Sequence, residues 1–234
     1  MINESIESSL ATLMLNDPAK RNALGLAMFD ALDAALARIA QRDDVKAVLL
    51  GGEGPVFCSG FDLTATAARA ERLGEFILRL SAALRGLRRL PQPVVAAVQG
   101  AAIAGGCALV SACDFAFVSR TAKLGYPVHA LGISPAVTLP TLMQAIGAGP
   151  ARALVMEGAL IDGVGAKRRG LATHLSESDA AVATDARHWC AALAAKPPAA
   201  VRFTKAWLNE LDGSLDDERF DRPAAHSAQQ RAGR

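Results

Sequence analysis

The stretch Pro93-Val94-Val95-Ala96-Ala97-Val98-Gln99-Gly100-Ala101-Ala102-Ile103-Ala104-Gly105-Gly106-Cys107 decides how this chain folds. Val94 to Val98 is an unbroken apolar run, which fits a strand covered on both faces in a largely parallel sheet. Small residues follow it, and residues 106–112 then have helical character. A strand that leaves through glycines into a helix presents the helix's first N–H groups, which have no partner inside the helix. The earlier segment Val56-Phe57-Cys58-Ser59-Gly60-Phe61-Asp62 has the same character. Two such turns converging on one oxygen could hold a developing negative charge. Neither turn is a phosphate loop or a dinucleotide fingerprint. Small residues in a turn also serve packing alone, and spacing does not choose between the two readings.

Working outward, residues 6–15 read as a first strand, followed by turn chemistry at Asn16-Asp17-Pro18. Residues 24–40 carry apolar positions every three or four, the stripe of a helix, and residues 45–50 form a short buried-type strand. A second stripe, Leu73, Phe76, Ile77, Leu80, Leu84 and Leu87, predicts one long helix closed by Pro91 and Pro93. Strands are expected at residues 115–118 and 123–126. Strand and helix alternating in this way define an α/β chain. Beyond residue 135 the pattern turns helical, at residues 136–146, 151–157, 163–169, 179–194 and 199–210, with one short strand at 171–174. The polar tail after Asp221 is expected to be loose.

Composition narrows the function classes. Of 234 residues, 51% are hydrophobic and 21% charged, which excludes a wholly disordered chain. Alanine supplies 49 residues and aromatics only 5%, so the core is expected to consist of small side chains with closely packed backbones. A net charge of 25 − 23 = +2 gives no nucleic-acid signature, although Arg85, Arg88 and Arg89 form a local basic cluster. Cys58, Cys107, Cys113 and Cys190 have no metal-ligand spacing and read as buried thiols. His174, His188 and His226 have no partners at ligand spacing either, so no metal is expected. The apolar region 91–112 is broken by Pro93, Gln99 and glycines and is not a membrane span. With no signal peptide read at the N-terminus, a cytoplasmic protein is the expectation.

Taken in order, Asn22-Ala23-Leu24, Ala47-Val48-Leu49-Leu50, Phe57-Cys58-Ser59-Gly60-Phe61-Asp62, the 93–100 run, Ala104-Gly105-Gly106-Cys107, Cys113-Asp114, Gly125-Tyr126-Pro127 with Leu131-Gly132, and the tract 149–175 resemble the crotonase (enoyl-CoA hydratase/isomerase) superfamily. The resemblance covers about 200 residues in the family's order. It implies a spiral core of ββα repeats with two nearly perpendicular sheets over residues 1–175. It also implies a helical C-terminal region, residues 176–234, serving as cover and trimerisation element. Trimers or hexamers, an acyl-CoA thioester as ligand and coenzyme A present only as part of the substrate follow from the same resemblance.

Carried onto this chain, the family's oxyanion donors would be the backbone N–H groups of Phe61 and Gly105, in the two glycine turns already singled out. The two glutamates that activate water in typical hydratases would fall at Ala108 and Val128. Neither side chain can move a proton, so ordinary hydration is not expected. Tyr126 and His129 are the candidate replacements. Glu71, Glu75 and Ser81 lie where family members shape the acyl pocket, and Asp62 and Asp114 read as turn and strand-start carboxylates. Coenzyme contacts are expected from Lys20, Arg21, Ala23, Ser59, Gly60, Phe61 and Lys205. Three functions remain open: an acyl-CoA enzyme with an unconventional acid or base, a non-catalytic acyl-CoA-binding or assembly protein, and a divergent decarboxylase or C–C bond enzyme.

Overall fold

The computed structural model describes residues 1–62 and 70–229. In chain order it contains β1 (Ile2–Glu7), β2 (Leu10–Leu15), α1 (Leu26–Ala40), β3 (Ala47–Gly52), α2 (Ala70–Arg89), β4 (Val94–Val98), β5 (Ala101–Ile103), α3 (Gly105–Ala112), β6 (Phe115–Ser119) and β7 (Lys123–Gly125). Then follow α4 (Leu139–Ile146), α5 (Ala148–Glu157), β8 (Leu160–Asp162), α6 (Gly163–Arg168), β9 (His174–Ser176), α7 (Asp179–Ala194), α8 (Pro198–Leu211) and α9 (Asp217–Gln229). Two mixed sheets result. The larger has the order β1-β2-β3-β4-β6-β9 and the smaller β5-β7-β8. β4, β5 and α3 form one ββα unit, with its first strand in the large sheet and its second in the small one.

Period-two alternation explains why β3 and β4 are apolar throughout. Val48, Leu50, Val94, Ala96 and Val98 face the main core with α1 and α2. Ala47, Leu49, Val95, Ala97 and Phe117 face the opposite way, against Val182, Ala186, Cys190 and Leu193 of α7. Both faces of the sheet are therefore covered, and no polar position is available in its centre.

The structure corrects several expectations. The first strand is a hairpin, turned at Ser8 and Ser9 with φ of +47° and +73°. The strand expected at 171–174 begins only at His174, because the Leu171 and Ala172 N–H groups both donate to Ala166 O at the end of α6. β9 therefore spans the boundary expected at residue 175. Residues 221–229 of the tail belong to α9. That helix buries Phe220, Ala224 and Ser227 against α2, and burying one phenylalanine contributes about 1.5–3 kcal/mol. Arg85 and Arg89 of α2 meet Asp217 of α9 at 3.3 and 2.7 Å, and Arg89 also lies over the Phe220 ring. Arg88 pairs with Asp212 at 2.9 Å. Arg85 and Arg89 thus hold the C-terminal helix, and Arg88 holds the end of α8. The last residues, 230–234, lie outside the described residues.

Among the described residues no helix is long and apolar enough to cross a membrane. No group of three or more metal-ligating side chains comes together among them.

Candidate active site

The first glycine turn is clamped from both sides. Toward the N-terminal segment, Ser59 N donates to Arg21 O, Leu24 N to Gly60 O and Asp62 N to Leu24 O. Toward β5, Cys58 N donates to Ala101 O and Ile103 N to Cys58 O. The Leu24–Phe61 bridge is parallel, so the bonds on that side belong to Gly60 and Asp62. The Phe61 N–H is left without a backbone partner among the described hydrogen bonds. Gly60 has φ +97°, a conformation glycine adopts freely.

The second turn begins helix α3 at Gly105, whose N–H is likewise without a backbone partner among the described hydrogen bonds. Its neighbour Ala104 sits at φ +49° and ψ −108°, donating to Gly125 O at 2.8 Å. A side chain rarely adopts that backbone conformation, and holding one there costs about 1–3 kcal/mol. Ala104→Gly should therefore raise stability by about 1 kcal/mol after glycine's own entropic cost. An unchanged or lower urea midpoint would count against strain at this position. The two turns abut, since a Cβ placed on Gly60 would lie 3.4 Å from Ala104 Cβ and 3.8 Å from Gly105 N.

Beside them is a cavity of about 100 Å³ that Phe61, Ala104, Gly105, Ala108, Tyr126 and Val128 help to line. Ile77 and Leu80 of α2, with Ile133 and Val137, form a further part of its wall. The Tyr126 hydroxyl is buried and shares a 2.9 Å hydrogen bond with Thr138 Oγ1. Burial pushes its ionisation well above the ordinary phenol value, so it stays neutral. Among the described lining residues it is the one titratable oxygen, and no carboxylate reaches the cavity.

The other expected site residues lie elsewhere. His129 is exposed in the turn His129–Leu131 and does not line the cavity. Glu75 is exposed, while Ser81 is buried and donates to Phe220 O. The side chain of Glu71 lies outside the described residues. Lys20 and Arg21 are exposed beside the first turn, next to half-buried Ala23. Asp62 accepts from Lys20 at 2.9 Å, and its hydrogen bond and charge hold the ammonium above its ordinary value. Asn22, part of the motif but given no role in the sequence reading, fastens the site. Its Nδ2 donates to Glu53 O, Val56 O and Phe57 O, and its Oδ1 accepts from Asp17 N. In the sequence the signal is an asparagine four residues beyond Pro18, a residue type that tolerates the φ of +54° found there.

Lys205 departs furthest from expectation. It is buried, donating to Gln92 O at 3.0 Å and Asp114 Oδ2 at 2.6 Å. Asp114 Oδ2 also accepts from Val94 N, so the pair pins α8 to the starts of β4 and β6. Lys205 and Asp114 line a separate cavity of about 740 Å³, in which they and the Arg88–Asp212 pair are each charge-neutral. With the two side chains only 7% and 20% exposed, Lys205→Met should cost about 3 kcal/mol. Adding Asp114→Asn should restore most of that loss, as read by urea unfolding. Equal midpoints for the single and double variants would show that the charge left behind is not the cause.

A fold of ββα units with two abutting glycine turns beside an apolar cavity defines a class, and comparison with known proteins specifies it. The enoyl-CoA hydratase/isomerase family profile matches residues 5–220, and the chain belongs to that family of CoA-thioester enzymes. It is 32% identical to the peroxisomal Delta(3,5)-Delta(2,4)-dienoyl-CoA isomerase of Arabidopsis thaliana, over 89% of this chain and 80% of that protein. The crystal structure of an enoyl-CoA hydratase from Mycobacterium smegmatis is similar with a TM-score of 0.85 and 28% identity, covering 97% of this chain and 89% of that one. An enoyl-CoA hydratase/isomerase from Pseudoalteromonas atlantica T6c gives 0.86 and 25% identity, covering 99% and 92%.

Proposed function

We propose that the protein binds an acyl-CoA thioester with its carbonyl oxygen between the N–H groups of Phe61 and Gly105, and stabilises the enolate formed there. What carries this reading is that, among the described hydrogen bonds, both N–H groups lack backbone partners at abutting turns beside one apolar cavity. Fixed backbone donors need no rearrangement as charge develops on the oxygen, and a low-dielectric wall strengthens them. Gly105 opens an eight-residue helix, whose positive end adds to the same field. Lys20, Arg21, Ala23, Ser59 and Gly60, at the first turn, are the residues proposed to meet the coenzyme. Lys205 is left out of that set because its ammonium is held by Asp114 and Gln92.

Ala108 and Val128 line the cavity where the family resemblance places water-activating acids. The chemistry proposed is therefore enolate chemistry without carboxylate-activated water, with Tyr126 as a neutral hydrogen-bond donor. Binding without turnover is the second reading, favoured by the Tyr126 hydroxyl already sharing a bond with Thr138. Exposed Phe203, Trp207 and Leu211 on α8 support a homo-oligomer, for which the family resemblance suggests a trimer.

The test is the infrared carbonyl band of bound crotonyl-CoA, which should move to lower wavenumber on binding. Gly105→Pro removes that N–H but puts the ring's Cδ where the hydrogen pointed and restricts Ala104, so the band is read only in a folded variant that still binds crotonyl-CoA. The added ring meets the movable end of Leu24, 2.9 Å from the new Cβ. This variant should lose most of the band shift, and any turnover should fall about a hundred- to a thousandfold. A bound thioester with an unshifted band in the unaltered protein would refute the proposed donors.

A further inference from the structure

We infer that the acyl cavity selects short, uncharged acyl groups, of about four carbons counting the thioester carbon, and that Ile77 and Leu80 set this limit. The inference rests on the thioester reading above and adds the substrate's size and polarity to it. An engineered protein cavity of about 150 Å³ holds benzene, which amounts to roughly 25 Å³ per carbon. The cavity here is about 100 Å³ and already includes the space between Phe61 and Gly105. On that scale it accommodates about four carbons.

The wall does not yield easily. Ile77 and Leu80 are 1% and 2% exposed, on a helix whose other face meets Phe220 and Ala224 of α9. Tyr126 and Thr138 are 1% exposed and bonded to each other. Behind that pair, Thr141 Oγ1 donates to Thr138 O and is 2.8 Å from Ser111 Oγ, so hydroxyl groups brace the wall from the protein side. A longer chain would have to displace close-packed core, and overpacking is as unfavourable as a void. Charge is excluded for a different reason. No lysine, arginine or histidine is among the described residues lining the cavity, so a carboxylate on the acyl group would be buried without a counter-charge.

Calorimetric titration of the intact protein with acetyl-, butyryl-, hexanoyl-, octanoyl- and succinyl-CoA, with free coenzyme A as reference, tests this. Affinity should rise about fourfold per added methylene from acetyl to butyryl, the gain of burying each one. It should then stop rising, leaving octanoyl-CoA no tighter than butyryl-CoA, and succinyl-CoA should bind at least tenfold more weakly. Ile77→Ala, with the gentler Ile77→Val in case the larger truncation does not fold, should move the optimum toward hexanoyl or octanoyl. A continued fourfold rise through octanoyl-CoA, or an optimum unmoved in a folded Ile77 variant, would overturn the inference while leaving thioester binding intact. If no thioester binds more tightly than coenzyme A itself, the thioester reading fails first.

Discussion

Crotonyl-CoA offered to this protein should be hydrated at least about a thousandfold more slowly than the rate of roughly 10 per second typical of enzymes. Adding water across a double bond needs one group to take a proton from the water and another to deliver one to carbon. Each such step, served by a placed acid or base, contributes about a hundred- to ten-thousandfold. The cavity has Ala108 and Val128 on its wall and no carboxylate among its described lining residues. Tyr126 is kept neutral by burial, so it can donate a hydrogen bond but is a poor proton donor near pH 7. Backbone donors alone would polarise the thioester and leave the water inert. Stopped-flow loss of the enoyl absorbance measures this directly, and turnover at several per second would mean that a base has been overlooked. The converse is also expected: Ala108→Glu with Val128→Glu should raise hydration at least a hundredfold over the unaltered protein. Both new carboxylates would be largely buried, so their ionisation should shift upward, and the gain should peak at the pH where one is ionised and the other still protonated, falling on either side. A folded double variant that binds butyryl-CoA yet shows no gain would place the defect in the position of the water.

Much of this arrangement was legible because it follows from periodicity and small-residue turns. Val94 to Val98 announces a strand buried on both faces, and the stripe from Leu73 to Leu87 announces α2 with little error at either end. The two glycine turns could be placed for the same reason, since backbone can approach backbone closely only where side chains are small. What could not be read was geometry imposed from a distance. The strained conformation of Ala104 is fixed by Gly125 O, and nothing local to an alanine signals it. Lys205 resembles a solvated cation until α8 docks and presents it to Asp114, 91 residues away. The tail after Asp221 has too few apolar residues to predict a helix alone. It becomes one because Phe220 and Ala224 meet α2, whose arginines take the acidic first turn. Tertiary contact overrode local propensity in each case.

The same small-residue packing that shapes the turns buries all four thiols, and this predicts a steep loss of stability in alkali. Burial pushes Cys58, Cys107 and Cys190 from an ordinary value of 9.0 up to about 12 and raises Cys113 further. Below pH 8 both folded and unfolded chains hold these protons, so the thiols do not make stability depend on pH. As pH climbs through 9.0 the unfolded chain releases them while the folded chain does not, and the equilibrium moves toward unfolding until the folded values are passed. At pH 10 each thiol removes on the order of 1 kcal/mol, and together they remove several kcal/mol. That is comparable with the whole stability of a domain at the lower end of the usual range. Tyr126, raised by burial as well, extends the decline beyond pH 10. Urea midpoints measured under reducing conditions at pH 7, 8, 9 and 10 should hold steady over the first interval and then fall sharply. Cys190→Ala, on the outer face of the large sheet, should remove about a quarter of the decline while leaving the two glycine turns untouched. If the variant and the unaltered protein lose stability in parallel through pH 10, the buried thiols are not responsible.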